Sequence, residues 1–183
     1  MFIAHLPAGY LLTRALTRSS LAKTRRGQLP IAGKILFFFG LLGSVFPDLD
    51  LLYFYFVDGR QQHHHLYWSH VPIIWVLITI TALTILKWLN AQRLAIYVWV
   101  FVLNVFLHLL LDSLAGGILW LYPVSMELFQ VFVVPATYKW WVANFIWHWT
   151  FILDLTITYL ALAVYSSQNH GVPLLATSRQ AKV

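Results

Sequence analysis

The chain has 183 residues, of which 60% are hydrophobic and only 10% charged, and it carries a formal charge of +6. Soluble domains are about half apolar and about a quarter charged, so this composition indicates a membrane protein, and the length allows one compact bundle without a second ordinary domain. The chain contains no cysteine, which excludes disulfides and thiolate chemistry and leaves His, Asp and Glu as metal ligands.

The N-terminal stretch "MFIAHLPAGYLLTRAL" predicts a short first helix that is retained. Unlike a cleavable signal peptide, it has no charged segment before its apolar residues, and Pro7 falls in the first turns, where proline is tolerated. The positive charge is concentrated just after it, at Arg14, Arg18, Lys23, Arg25 and Arg26. Such residues set membrane orientation or contact anionic lipids. No nucleic-acid-binding motif accompanies them, so we expect membrane lipids as partners and no nucleic acid.

The next apolar stretch, residues 31–46, predicts a helix that ends at Pro47. At about 1.5 Å per residue it nearly crosses a hydrocarbon core of about 30 Å. Gly40 and Ser44 are four residues apart and predict a close contact with a neighbouring helix. After the break at "PDLD", the aromatic stretch "LLYFYFV" is typical of an interfacial segment.

Residues 71–89 and 94–112 each predict a spanning helix. Residues 113–140 are apolar but interrupted by glycine and proline, which favours a re-entrant or interfacial segment. A last spanning helix follows. We therefore predict an all-α fold, a polytopic membrane bundle of about four spanning helices plus a short N-terminal helix and the re-entrant or interfacial segment. It forms one domain, residues 1–166, followed by a polar, flexible tail, residues 167–183.

The distribution of Lys and Arg predicts the orientation of the bundle. Ten of the twelve fall on one side of this topology: Arg14, Arg18, Lys23, Arg25, Arg26, Lys34, Lys87, Arg93, Arg179 and Lys182. Arg60 and Lys139 fall on the other side. By the positive-inside rule the basic side is cytoplasmic, so the N-terminus and the two larger polar loops face outward.

Four separate elements each bring metal-capable side chains to that outward side. They are His5 in the first helix, Asp48 and Asp50 after the second, His63, His64, His65 and His70 in the loop before the third, and His108 and Asp112 at the end of the fourth. An unpaired Asp deep in a membrane helix costs about 2.5 to 3.5 kcal/mol, and a bound dication would neutralise these carboxylates. The pattern predicts an outward-facing metal site.

The local spacing suits such a site. His108 and Asp112 share a helix face and can hold one ion, and Asn104, one turn earlier, is a candidate to orient His108. Pro47 ends the helix just before Asp48 and Asp50, and the irregular backbone there lets both carboxylates face one cavity.

Taken singly, these residues also have structural explanations. They include an interfacial histidine at position 5, a helix cap at position 48 and a hydrogen-bonded pair in the fourth helix. His63 and His64 are favoured as residues of a solvated loop. His148 and Asp154, six residues apart, do not share a helix face, and Asp154 is expected to form helix–helix hydrogen bonds, with a role in proton relay as the alternative.

The order of these motifs resembles the YdjM-like family of inner-membrane, metal-dependent hydrolases. That family has an early histidine, then Pro-Asp-x-Asp, then His-Arg-Gly-x-Thr-His-Ser, then His-x-x-x-Asp with a glycine-rich turn and a proline. The corresponding stretches here are "AHLPAGYLL", "FPDLD", "HLYWSHV" and "HLLLDSLAGGILWLYP". The resemblance covers the chain up to about Pro123. It departs at Leu66 and Tyr67, which replace Arg-Gly, and at Ser69 and Val71, which replace the Thr and the final Ser.

The resemblance implies a location in the bacterial inner membrane and a hydrolase that uses a divalent metal ion. The motif order is also similar to that of the all-helical zinc phospholipase C group, which implies zinc and phosphoester hydrolysis. The metal ligands would be His5, Asp48, Asp50, His65, His70, His108 and Asp112. The candidate catalytic residues are Asp48, which would accept a proton from the attacking water, and His65. If the family's Arg binds a substrate phosphate, that contact is missing here or comes from Arg60.

A lipid or lipid-linked phosphoester is the expected substrate, because the site is at the level of the outer headgroups. Two other classes of function use the same residues. Intramembrane His and Asp also build proton or ion pathways, and a non-catalytic membrane protein could retain a decayed site. Bound metal in the purified protein favours the hydrolase over the non-catalytic protein.

Overall fold

The computed structural model describes residues 3–18 and 33–169. In those ranges the regular structure consists of seven α-helices: α1 (His5–Arg18), α2 (Gly33–Val45), α3 (Asp50–Phe56), α4 (Pro72–Trp88), α5 (Gln92–Asp112), α6 (Trp141–Ile146) and α7 (Phe151–Asn169). Three 3₁₀ turns join them, at Pro47–Leu49, His64–Leu66 and Trp68–His70. The described residues form no β-strand, and so the predicted all-α class is confirmed.

The helices differ in their capacity to cross a membrane. By length and apolar composition α5 qualifies alone, and α2 with the Pro47–Phe56 segment qualifies as a pair bent by 59°. Helix α4 and the apolar part of α7 are shorter. One or two spans are therefore supported among the described residues, and the bundle of about four spanning helices stays a prediction.

The bend after α2 follows from Pro47. Proline lacks the backbone N–H that an α-helix needs and clashes with the preceding turn. The chain therefore tightens into a 3₁₀ turn over Pro47–Leu49 before α3 begins at Asp50. This bend places the carboxylates of Asp48 and Asp50 at the end of α2.

Small residues allow α1, α2 and α5 to pack closely. A Cβ atom added to Gly40 would lie 2.0 Å from Thr13 Oγ1, and one added to Gly9 would lie 2.4 Å from Ser44 Cβ. The predicted close contact at Gly40 and Ser44 is thus confirmed, and its partner is α1. Beside these residues on α2, a Cβ added to Gly43 would lie 2.2 Å from the carbonyl oxygen of Phe101 in α5.

Replacing Gly43 with alanine should therefore separate α2 from α5. The clashing atom belongs to the backbone of a helix, which cannot rotate away as a side chain can, so we expect a destabilisation of about 1 to 3 kcal/mol. Thermal unfolding in detergent would measure it as a lower midpoint. Gly33→Ala is the matched control because a Cβ there meets nothing within 4 Å. Equal midpoints for the two variants would contradict this account of the packing.

Residues 113–140, between α5 and α6, fold back on the end of α5 without forming a helix. The N–H groups of Val131 and Phe132 donate to the carbonyls of Ser113 and Leu114 at 2.8 and 2.9 Å. Ile118 pairs with Phe129 in an isolated bridge. The expectation that this apolar segment is not a straight spanning helix is correct, and its placement in the membrane stays a prediction.

Some sequence predictions lie outside the described residues or at their limit. Lys23, Arg25 and Arg26 of the basic linker, and Arg179 and Lys182 of the tail, are not among them. Helix α7 continues past Ser166, the predicted end of the domain, to Asn169.

Candidate metal centre

Four side chains from three elements converge at one end of the bundle. Asp48 of the 3₁₀ turn after α2, His70 just before α4, and His108 and Asp112 of α5 each offer a ligand atom, and these atoms all lie within 4.8 Å of one another. His108 Nε2 is 3.0 Å from Asp112 Oδ2 and 3.4 Å from His70 Nε2. Atoms bound to one zinc ion, each about 2.0 to 2.2 Å from the metal, lie about 3 to 4 Å apart. The separations therefore suit one ion.

The burial of this group also fits a cation. The side chains of His70 and His108 have no exposed surface, and that of Asp112 is 3% exposed. Asp48 differs because its side chain is 32% exposed. Buried charges in proteins are paired or bind metals, so a divalent ion fits the buried donors, and Asp48 is the member of the group that water can reach.

Asp50 lies behind His70 and orients it. Asp50 Oδ2 accepts hydrogen bonds from His70 Nδ1 at 2.7 Å and from the Ser69 hydroxyl at 2.6 Å. Because Nδ1 is engaged, the Nε2 of His70 faces the other three donors; carboxylates commonly orient metal-bound histidines in this way. The predicted ligand Asp50 is thus close to the site, but the oxygen Oδ2 serves as a partner of His70.

Neighbouring carboxylates favour the protonated form of His70. Burial lowers its pKa, but hydrogen bonds to Asp112 and Asp50 outweigh this effect and raise the pKa to about 9. A metal ion that binds Nε2 must displace this proton, since only the neutral imidazole is a ligand. The carboxylates that favour this proton would therefore also favour a metal cation.

The backbone of α2 orients His108. His108 Nδ1 donates to the carbonyl oxygen of Ser44 at 2.8 Å, which leaves Nε2 as the ligand atom. The expectation that Asn104 orients this histidine is wrong. The Asn104 amide donates instead to Val100 O at 2.8 Å and to Thr13 Oγ1 at 3.2 Å, because it points toward α1.

His65 also has one nitrogen fixed by backbone. Its Nδ1 lies 2.8 Å from the carbonyl oxygen of Gly116 and 3.0 Å from that of Gly117, and its Nε2 lies 3.6 Å from Asp112 Oδ2. Burial holds the pKa of His65 well below its usual value, so the ring is neutral. A Cβ at Gly116 would lie 2.2 Å from His65 Cε1, which means that only glycine permits this approach.

His5 approaches Asp112 from the opposite side. Its Nε2 is 3.0 Å from Asp112 Oδ1, and its ring stacks on His108 with centroids 3.9 Å apart. Asp154 of α7 fixes the start of α1, since its Oδ1 accepts the backbone N–H groups of Ile3 and Ala4 at 3.1 and 2.9 Å. Asp154 therefore bonds between helices, as expected, and in doing so it positions His5.

The loop histidines behave differently from one another. His63 is exposed, as expected for a solvated loop, and its Nδ1 accepts the N–H of His65 at 3.3 Å. His64 is partly buried, with 23% of its side chain exposed, and its Nδ1 lies 3.7 Å from Asp50 Oδ1. The prediction of a solvated loop thus describes His63 better than His64.

Arg60 is the residue that could supply the contact of the replaced Arg-Gly pair, and this role stays a prediction. Its guanidinium lies over the ring of Tyr55, 6.0 Å from the centroid, and the residue is exposed. Leu66, one of the two replacements, is 41% exposed and contributes an apolar surface.

The structure brings all seven predicted ligands to one end of the bundle. They come from the start of α1, the end of α2, the turns before α4 and the end of α5. The described basic residues Arg18, Lys34, Lys87 and Arg93 lie at or near the opposite ends of the same helices. Sequence reasoning missed the supporting groups Ser44 O, Ser69, Gly116 and the role of Asp154, although the "GG" after Asp112 was a visible signal for a close backbone approach.

The sequence model of the YdjM inner membrane protein family matches residues 1–175 of the chain. This range includes every predicted ligand and also Asp154. No curated protein and no solved structure is significantly similar to the chain.

Proposed function

The chain belongs to the YdjM inner membrane protein family, and from this premise we propose that it is a multi-pass, metal-dependent hydrolase of a lipid or lipid-linked phosphoester. The observation that carries the proposal is the convergence of Asp48, His70, His108 and Asp112 on one point. Three of these donors are buried, and the fourth faces solvent. Three fixed ligands beside an accessible one resemble a catalytic metal site more than a closed structural site.

Zinc is the metal that we propose. The donors are imidazole nitrogens and carboxylate oxygens with separations that suit a small, four-coordinate ion. Three histidines have their Nδ1 atoms engaged by Asp50, Ser44 or Gly116, so their Nε2 atoms are set in advance. Such prior orientation raises the affinity for the metal, since loss of a group that orients a ligand typically lowers metal affinity by about 10- to 100-fold.

Asp48 and His65 would have different roles in the reaction. A bound zinc ion would lower the pKa of a coordinated water to about 7 and so supply a nucleophile at neutral pH. Asp48 is placed to accept the water's proton because it combines proximity to the donors with exposure to solvent. His65, neutral and 3.6 Å from Asp112, would hold that carboxylate in place or complete the ligand set.

A lipid-like substrate is supported by the surface beside the site. Helix α3 begins at Asp50 and exposes Leu52, Tyr53 and Phe56, the last at 83%. Trp68, the first residue of the turn that carries His70, is also exposed. Aromatic and apolar side chains at this level suit the membrane interface, where an acyl chain can lie while its phosphate reaches Asp48.

The experiment that tests this function joins metal analysis to an assay. Protein purified in detergent is expected to contain zinc and to release phosphate or a headgroup from lipid phosphoesters in a metal-dependent manner. Zinc without hydrolysis across a broad panel of lipid phosphates would favour the ion-handling alternative. Absence of both zinc and hydrolysis would refute the proposal.

We also propose that the site faces outward, which predicts a definite labelling pattern. The chain has no cysteine, so single cysteines at Gln61 and Gln28 can be labelled in intact cells with a membrane-impermeant thiol reagent. Because short loops rich in Lys and Arg stay cytoplasmic, the cysteine at position 61 should react and the one at position 28 should react only after lysis. The reverse pattern would place the site on the cytoplasmic side.

A further inference from the structure

Two ligand-type atoms beside the metal centre are not used by it. Asp50 Oδ1 and His64 Nδ1 lie 3.7 Å apart. Both atoms are buried, and neither has a hydrogen-bond partner among the described residues. A buried polar atom without a partner costs about 1 to 3 kcal/mol, so this pair suggests a group that is bound between them.

The position of these atoms is fixed by their neighbours. Asp50 is held through its other oxygen, Oδ2, by His70 and Ser69. The ring of His64 packs edge-on against His65 and His70, with centroids 4.1 and 5.2 Å apart. The ligand atoms of these three histidines lie within 4.8 Å of one another. The pair is therefore part of a built site.

His70 cannot complete two sites at once through one nitrogen. Its Nε2 lies 3.4 Å from His108 and 3.6 Å from Asp112, which assigns it to the four-residue group. Asp50 and His64 remain as the donors on the adjacent side, with water or substrate oxygens to fill the other positions.

The charge of the site also favours a second cation. Asp48, Asp50 and Asp112 together carry three negative charges, and histidines that bind metal through neutral imidazole add none. With one dication bound, the site keeps a net negative charge, which would repel an anionic phosphoester. A second dication reverses the sign and gives a site that attracts phosphate.

We propose that a second divalent metal ion binds between Asp50 Oδ1 and His64 Nδ1, next to the first. This proposal rests on the proposed hydrolase function and deepens it, since a pair of ions can clamp both the attacking and the leaving oxygen of a phosphoester. Asp50 then links the two positions, because it orients a ligand of the first ion and binds the second.

The test is metal stoichiometry in matched histidine variants. Wild-type protein equilibrated with zinc and freed of excess is expected to retain about two ions per chain, His64→Ala about one, and His63→Ala about two. His63 is the matched control because it is the exposed neighbour of His64 in the same loop. Thermal unfolding of each variant shows that the fold is retained.

A second measurement distinguishes two adjacent ions from two distant ones. With Mn²⁺ in place of zinc, ions about 3.5 to 4 Å apart give a spin-coupled electron paramagnetic resonance spectrum, which should be replaced by that of an isolated ion in His64→Ala. One ion per chain in both wild type and His64→Ala would overturn the second site and leave the hydrolase intact. Loss of an ion from His63→Ala as well would also overturn it, since the effect would then come from the loop. No metal in any of the three proteins would refute the hydrolase too.

Discussion

Replacing His108 with alanine is expected to abolish metal binding at the four-residue group. His108 Nε2 is close to all three other donors of the group, at 3.0 Å from Asp112, 3.4 Å from His70 and 3.7 Å from Asp48. Its ring is fully buried and its Nδ1 is fixed by the carbonyl oxygen of Ser44, so its Nε2 is directed toward these donors. The zinc ion would lose one of its direct ligands, and the affinity for zinc should fall by more than the roughly 10- to 100-fold caused by loss of a residue that only orients a ligand.

Zinc content and titration calorimetry in detergent measure this effect. His148→Ala is the control, since His148 interacts with Thr150 at 2.8 Å and takes no part in the four-residue group. Thermal unfolding without metal shows whether the cavity left by the imidazole affects the fold itself. Unchanged zinc affinity in folded His108→Ala protein would remove the four-residue group as the metal centre.

Replacing Asp48 with asparagine should separate metal binding from turnover. The amide oxygen of asparagine can still approach a metal, and the buried donors His70, His108 and Asp112 are untouched, so the protein should keep zinc. The amide cannot accept a proton, however, and loss of a general base typically lowers kcat by about 10²- to 10⁴-fold. The expected result is a zinc-loaded protein that hydrolyses its substrate at a small fraction of the wild-type rate.

Steady-state kinetics on zinc-loaded protein checks this prediction, with Asp58→Asn as the control. Asp58 is a carboxylate of the same polar region, but it accepts the N–H groups of Gln61 and Gln62 in the loop after α3. A wild-type kcat in zinc-loaded Asp48→Asn would exclude Asp48 as the proton acceptor. A loss of zinc that accounts for the whole loss of rate would make Asp48 a ligand only.

The parts of the fold that the sequence predicted depend on local chemistry. Apolar stretches marked the helices, and Pro47 marked the end of α2 because its effect on the backbone is local. The number of membrane spans was harder to predict from the sequence. Helix α4 is shorter than a full span, and α2 qualifies only together with the segment after its bend. Composition alone does not distinguish an apolar helix that crosses the membrane from an apolar helix that packs against a spanning helix without crossing.

The candidate site was predictable to a similar degree. His108 and Asp112 share a helix face by spacing, and charge bias placed the other donors on the same side of the bundle. The supporting contacts were not predictable. His108 bonds to a carbonyl 64 residues away and His65 to one 51 residues away, and any residue type has such a carbonyl. The expectation for Asn104 failed because helical spacing gives the face of a side chain but not the partner that it meets there.

The hydrogen bonds that Asp154 accepts from Ile3 and Ala4 have a consequence for the assembly of the protein. His5 is positioned through the N–H groups of Ile3 and Ala4, and their acceptor is encoded about 150 residues later. The four-residue group likewise requires α5, so a nascent chain that ends before Asp112 has no site to load. Once α5 is complete, the chain holds all four donors of that group, and His5 is fixed beside Asp112 only when α7 has docked. The earliest-synthesised residue of the site is therefore the last to be fixed in place.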